Sequence, residues 1–152
     1  MTLKIGDKAP QFKGVDQDGN SITLKQFKGK KVALYFYPKD NTPGCTAQAC
    51  NLTDNIEALS NKGIQVIGIS VDSVNSHKKF EQKFHLAFPL IADEDHTIVE
   101  AYEVWGLKKF MGRTFMGTHR ITFLINENGV IDHIIEKVKT KEHAQQILEL
   151  WQ

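Results

Sequence analysis

Two runs of the chain, VALYFY at residues 32 to 37 and QVIGISV at 65 to 71, are apolar at nearly every position and rich in β-branched or aromatic side chains. A strand buried on one face alternates polar with apolar, so continuous runs predict parallel strands covered on both faces. The intervening TPGCTAQACNLTDNIEALSNKG predicts one helix, with Thr42 as N-cap, Pro43 at the first helical position and Gly63 closing the C-terminus. Strand, helix and strand form a right-handed crossover unit. The expected class is therefore α/β.

The rest of the chain extends that frame. A second crossover helix is expected at Ser73 to Phe84, then the short FPLIAD segment and a helix around Thr97 to Tyr102. RITFLI (120 to 125) and VIDHII (130 to 135) flank Asn-Glu-Asn-Gly, which predicts an antiparallel hairpin. KEHAQQILELW sets Ala144, Ile147, Leu148 and Trp151 on one face of a terminal helix with Thr140 as its cap. FKGVDQDGNSITL near the N-terminus reads as another hairpin, turning at Asp18 and Gly19. The sum is a central mixed sheet flanked by helices, with no internal repeat or linker, so residues 1 to 152 are expected to form one domain.

Charge narrows the function. Lys plus Arg number 19 against 18 Asp plus Glu, a net +1 with no block of like charge, which argues against nucleic acid or an anionic membrane as partner. No stretch approaches the roughly 20 apolar residues of a membrane span, and MTLKIGDKAPQF lacks the apolar core of an export signal. The expected location is cytoplasmic. Permanent disulfides are rare there, so the two cysteines, Cys45 and Cys50, are redox-active, metal-binding or simply buried. Six scattered histidines without a His-Glu-x-x-His pattern or a second Cys pair give no metal site.

On the predicted helix Cys45 falls in the first turn, where backbone N–H groups lack partners and the helix dipole is positive, an environment that favours a thiolate. An unperturbed thiol, with pKa about 8.5, is only a few per cent ionised at neutral pH, and the anion is the nucleophile. Cys45 shares a core-facing stripe with Ala49, Leu52, Ile56 and Leu59. A five-residue helical step separates the Cα atoms of Cys45 and Cys50 by roughly 8 to 9 Å, beyond the ~7 Å a disulfide tolerates. Joining them requires the intervening turn to unwind.

The stretch Tyr37-Pro38-Lys39-Asp40-Asn41-Thr42-Pro43-Gly44-Cys45-Thr46 resembles the peroxiredoxin active-site signature, and Cys50 five residues on is similar to the bacterioferritin comigratory protein, or peroxiredoxin Q, group. LKIGDKAPQF and VWGLKKFMGRTFMGTHRITFLI carry the likeness along the chain. The resemblance implies a thioredoxin-like fold and reduction of hydrogen peroxide and alkyl hydroperoxides without metal or organic cofactor. It implies that Cys45 is the peroxidatic thiolate and Cys50 the resolving thiol, their disulfide being returned to thiols by thioredoxin. It implies that Arg120 steadies the thiolate and polarises the peroxide, that Thr42 contacts both, and that Pro38 shields the pocket. Gly44 and Cys45 N–H groups complete the cradle. Gln48 stands where many peroxiredoxins carry a Glu, keeping the bonding around the Arg but dropping the charge.

Each assignment has a plainer counterpart: Thr42 as N-cap alone, Pro38 as a strand end, Arg120 as a solvated charge, the cysteines as small buried side chains. A thiol–disulfide oxidoreductase of this fold would carry Cys-x-x-Cys, which is absent, and a peroxide-sensing relay would use the same residues. Residues 104 to 119 read as a long loop whose Trp105, Phe110 and Phe115 wall the pocket, pack on the core or meet a second subunit; core packing is the expectation, and a monomer or weak homodimer follows.

Overall fold

The two continuous apolar runs form the centre of a five-stranded sheet in the computed structural model, which describes residues 1–152. Strands β3 (Lys31–Phe36), β4 (Ile64–Ser70) and β5 (Leu90–Ala92) run parallel, and β8 (Ile121–Ile125) and β9 (Ile131–Ile135) continue the sheet antiparallel beyond β3 in the order β5-β4-β3-β8-β9. Successive side chains of β3 enter opposite cores, which is why the run has no polar positions. Ala33, Tyr35 and Tyr37 join one core, and Val32, Leu34 and Phe36 join the other. This is the expected thioredoxin-like sheet with helices on both faces.

Helices α1 (Pro43–Asp54), α2 (Ile56–Asn61), α3 (Val74–Phe84) and α5 (His143–Leu150) cover the first core through Ala49, Leu52, Leu59, Phe80, Ala144 and Ile147. Helix α4 (Thr97–Ala101) and the N-terminal hairpin of β1 (Lys13–Val15) and β2 (Ser21–Thr23) cover the second, with Ile98, Val99, Phe12, Ile22 and Leu24. Gly68 in β4 is a packing requirement: it pairs with Tyr35, and a Cβ there would lie 2.9 Å from the Tyr35 ring.

Three expectations need correction. The single helix from 43 to 62 is two, because Asn55 ends α1: its side chain donates to the Asn51 carbonyl at 2.8 Å and its backbone leaves helical geometry (φ −108°, ψ 15°). Thr140 does not cap α5. It opens a short 3₁₀ turn, and α5 begins only at His143 with Glu142 before it. Residues 104 to 119 are not a loop but mainly a hairpin of β6 (Trp105–Phe110) and β7 (Arg113–Thr118), joined at Met111 and Gly112, both with positive φ (51° and 78°). Its Phe110 and Phe115 are exposed rather than packed in the core, and Trp105 is partly covered by the ring of His96 at 4.2 Å.

Candidate active site

The register of the sheet brings the predicted residues together. Phe36 at the end of β3 pairs with Ile121 at the start of β8, so the segment after β3 and the residue before β8 meet at one edge. From the first side come Pro38, Thr42 and, one turn into α1, Cys45; from the second comes Arg120. The guanidinium Nη2 donates to Cys45 Sγ at 3.3 Å, and Nη1 donates to Gln48 Oε1 at 2.7 Å. Gln48, fully buried one turn after Cys45 toward the same core, thus holds the guanidinium that holds the sulfur. Gly44 permits this approach, since a Cβ on it would sit 3.2 Å from Nη2.

Thr42 occupies the N-cap position in extended geometry, yet its hydroxyl does not cap the helix. It donates instead to the Lys39 carbonyl at 2.8 Å. Two consequences follow. The first-turn N–H groups of Gly44 and Cys45 remain open to a ligand, and the Thr42 oxygen, its proton committed, is presented as an acceptor. Pro38 is half-buried beside them. Cys45 is 1 % exposed and Cys50 half-buried, and no disulfide joins them in this structure. Burial, and secondarily the charge of Asp54, raises the Cys50 pKa above the ordinary thiol range.

Several contributors carry no signature in the sequence. Tyr35, its phenol pushed upward by burial and then by charge on Cys45, stays protonated with its hydroxyl unpartnered. Lys108 of β6 donates to the Thr118 carbonyl at 2.9 Å, and burial, then the charge of Arg120, lowers its pKa. His143 is buried between Thr122, at 2.8 Å, and Gln146, also at 2.8 Å. Burial outweighs the Gln146 bond and pushes it down to about 4, so it is neutral at physiological pH. Its i+4 and i+8 spacing to Ile147 and Trp151 was the available sign that it faces inward.

Asp40, Asp72 and His77 are the one group of side chains close enough to share a metal ion. Their donor atoms are committed elsewhere: Asp40 accepts from Tyr37 at 2.6 Å, Ser76 at 2.8 Å and His77 Nδ1 at 2.6 Å, while His77 Nε2 faces the Ile91 carbonyl at 2.9 Å. Asp72 accepts from the Asp40 N–H at 2.8 Å and the Ser70 hydroxyl at 2.7 Å. The cluster is a structural knot beside the site. Two surface clefts of about 330 Å³ are lined by residues other than Cys45 and Arg120.

Residues 5–134 match the AhpC/TSA family. Peroxiredoxin Bcp of Escherichia coli strain K12 is 48% identical over 146 residues, 96% of this chain and 94% of that protein. The chain is a peroxiredoxin of the AhpC/TSA family. It is accordingly a thiol-dependent peroxidase, an oxidoreductase acting on peroxide. Among solved peroxiredoxins, a Cys-to-Ser variant of Xylella fastidiosa PrxQ superposes with a TM-score of 0.92 at 30% identity, covering 98% of this chain and 95% of that one. Xanthomonas campestris bacterioferritin comigratory protein, studied for its alkyl peroxide reduction activity, gives 0.87 at 32% identity over 97% and 94% of the chains. No helix of this peroxiredoxin is long and apolar enough to cross a membrane.

Proposed function

We propose that Cys45 is the peroxidatic residue, that Cys50 resolves it, and that residues 1 to 152 act as a single catalytic domain in the cytoplasm. The observation that carries this reading is the hydrogen bond from Arg120 Nη2 to Cys45 Sγ. A guanidinium in that place favours the anionic sulfur and is fixed before substrate arrives, which is where transition-state stabilisation comes from. The peroxide O–H donates to Thr42 Oγ1; Arg120 and the open N–H groups of Gly44 and Cys45 receive the charge that develops as the O–O bond breaks. The Cys45 thiolate attacks the O–H oxygen, forming S–O as O–O breaks. The proton of that oxygen passes to the departing oxygen, which leaves as water or an alcohol, and the sulfenate takes a proton from solvent to become the sulfenic acid. Pro38 keeps bulk water from the recess.

The sulfenic acid then condenses with Cys50, forming the Cys45–Cys50 disulfide and expelling water. Cys50, its pKa raised, brings the thiol proton that the departing hydroxyl needs. A thioredoxin returns the pair to thiols. Hydrogen peroxide or an alkyl hydroperoxide is the substrate, no cofactor takes part, and the protein acts as a monomer or weak homodimer.

Coupling thioredoxin, its reductase and NADPH to peroxide tests the assignment. Cys45→Ser removes turnover; Cys50→Ser retains the first oxidation, followed by single-turnover fluorescence, and loses thioredoxin-dependent recycling. Equal turnover in wild type and both variants overturns it.

A further inference from the structure

The disulfide requires α1 to unwind, and the structure shows where that unwinding is bounded. On the upstream side stands the Asp40 knot. Its carboxylate is held by Tyr37, Ser76 and His77 and its N–H by Asp72, which fixes the chain to α3 and the end of β4. The next residue, Asn41, has φ +60°, a conformation Asn tolerates and a natural pivot. On the downstream side stands Asn51. Its Oδ1 accepts from the Ala144 N–H at 2.7 Å, and its Nδ2 donates to the Lys141 carbonyl at 3.0 Å and to Gln145 at 3.2 Å, which fixes α1 to α5 and the turn before it. Thr53 adds a further tie to Ala87.

Between these two posts lie residues 41 to 50, and both cysteines fall inside. The buried side chains of α1 within that stretch are Cys45, Gln48 and Ala49, all small or polar; the first large apolar one, Leu52, lies just past the second post. Withdrawing an alanine from a core costs far less than withdrawing a leucine, so opening is cheap up to residue 50 and expensive beyond it. The strongest tie across the stretch, Arg120 to Cys45 and Gln48, depends in part on charge at the sulfur, and a sulfenic acid is neutral.

We propose that Asp40 and Asn51 are positioning residues that confine redox unwinding to residues 41 to 50. Asn51 does so through its side-chain amide, whose oxygen and nitrogen both tie the last turn of α1 to α5 and the turn before it. In the reduced protein the preceding turns of α1 share that load. In the disulfide form the anchor alone holds the remaining turn, so the residue contributes more to the oxidised state than to the reduced one.

This inference rests on the Cys45–Cys50 reading, and the experiment separates the two. The full-length protein is oxidised with one equivalent of hydrogen peroxide, disulfide content is read by mass after thiol alkylation, and amide exchange is mapped in both redox states. Exchange protection is expected to be lost over residues 41 to 50 and retained on either side. In Asn51→Ala the unprotected stretch extends into 51 to 55, and the oxidised form loses about 3 °C more in Tm than the reduced form does. In Ser76→Ala, which removes one donor from Asp40, it extends upstream toward residue 37. A protein that never closes the disulfide defeats the Cys50 assignment and this inference with it. One that closes it but loses protection beyond the posts in the wild type, or whose Asn51→Ala variant shifts both Tm values equally, overturns the boundary alone.

Discussion

On one side of the first turn of α1 lie Asp40, Tyr37, His77, Ser76 and Asp72; on the other lie Cys45, Gln48 and Arg120. Both groups are largely buried, and both reach elements distant in the chain. In the first group every buried polar atom has a partner, whereas the second lies among loose ends, Gln48 Nε2 and Tyr35 Oη, with Thr118 Oγ1 at the close of β7. Buried unpaired polar atoms cost roughly 1 to 3 kcal/mol each, a cost a fold accepts where a ligand or water completes the set. The knot is finished and gives stability. The other group leaves Gln48 Nε2 and Tyr35 Oη without a protein partner.

Removing Arg120 should produce the largest effect and the one most specific to the unfinished side. Arg120→Met is expected to slow the reaction of Cys45 with peroxide by about 10²–10³-fold, the usual loss for a fixed donor at a developing charge, with a smaller loss of Tm, about 2–4 °C per kcal/mol, because Gln48 Oε1 loses its donor. Stopped-flow oxidation and thermal melts measure the two. A loss of less than about threefold would place the stabilising donors elsewhere, on the open N–H groups of α1.

The knot should respond the opposite way. His77 is fully buried and Asp40 nearly so, and removing one member of a buried pair strands the other. His77→Leu is expected to cost about 3–5 kcal/mol of unfolding free energy, measured in urea, and adding Asp40→Asn to the same chain should recover part of that. The oxidation rate of the folded fraction should stay close to wild type. If instead stability holds and the oxidation rate collapses, the two clusters are one site and the contrast is wrong.

The sheet was legible because its signals are local: buried β3 and β4 read as unbroken apolar runs, and β8 and β9 bracket Asn-Glu-Asn-Gly. The β6–β7 hairpin was not, because its turn uses Met111 at positive φ in place of the Asn or Asp that marks such turns. The break at Asn55 depends on one side chain competing with the helix ladder, which periodicity does not register. In the site, Pro38, Thr42, Cys45 and Arg120 were legible through a motif, and the Arg120–Cys45 hydrogen bond joins the two stretches that carry it. Asp40 stands in the same motif, but its partner His77 is 37 positions away and nothing local pairs them. The Thr42 hydroxyl, read as a cap, donates to the Lys39 carbonyl instead, which leaves the Gly44 and Cys45 N–H groups uncapped.

His143 extends the contrast to pH. It is neutral in the folded protein, with its pKa pushed down to about 4, whereas in the unfolded chain it titrates near the ordinary value of about 6.5. Between those values the unfolded state binds the extra proton. Stability therefore falls as pH drops from 6.5 toward 4, by about 3 kcal/mol in all if His143 acts alone, and the contribution is flat above 6.5. Urea midpoints for wild type against His143→Gln across this range measure the slope. A slope that survives the substitution assigns acid sensitivity to the carboxylates instead.

The smallest effect concerns Cys50, which stands between the two regimes: half-buried, free, and in the proposed cycle needed only once the helix opens. Its pKa is raised first by burial and second by Asp54. Asp54→Asn removes the lesser cause, so the midpoint of Cys50 alkylation against pH, followed in Cys45→Ser, should move down but remain above that of a free thiol. The direction matters for catalysis. A Cys50 that stays protonated delays its attack on the sulfenic acid yet brings the proton the departing hydroxyl requires, so Asp54→Asn should speed disulfide closure at pH 7 only if thiolate formation, rather than unwinding of α1, limits the step. An unchanged closure rate alongside a lowered alkylation midpoint would assign the limit to the helix.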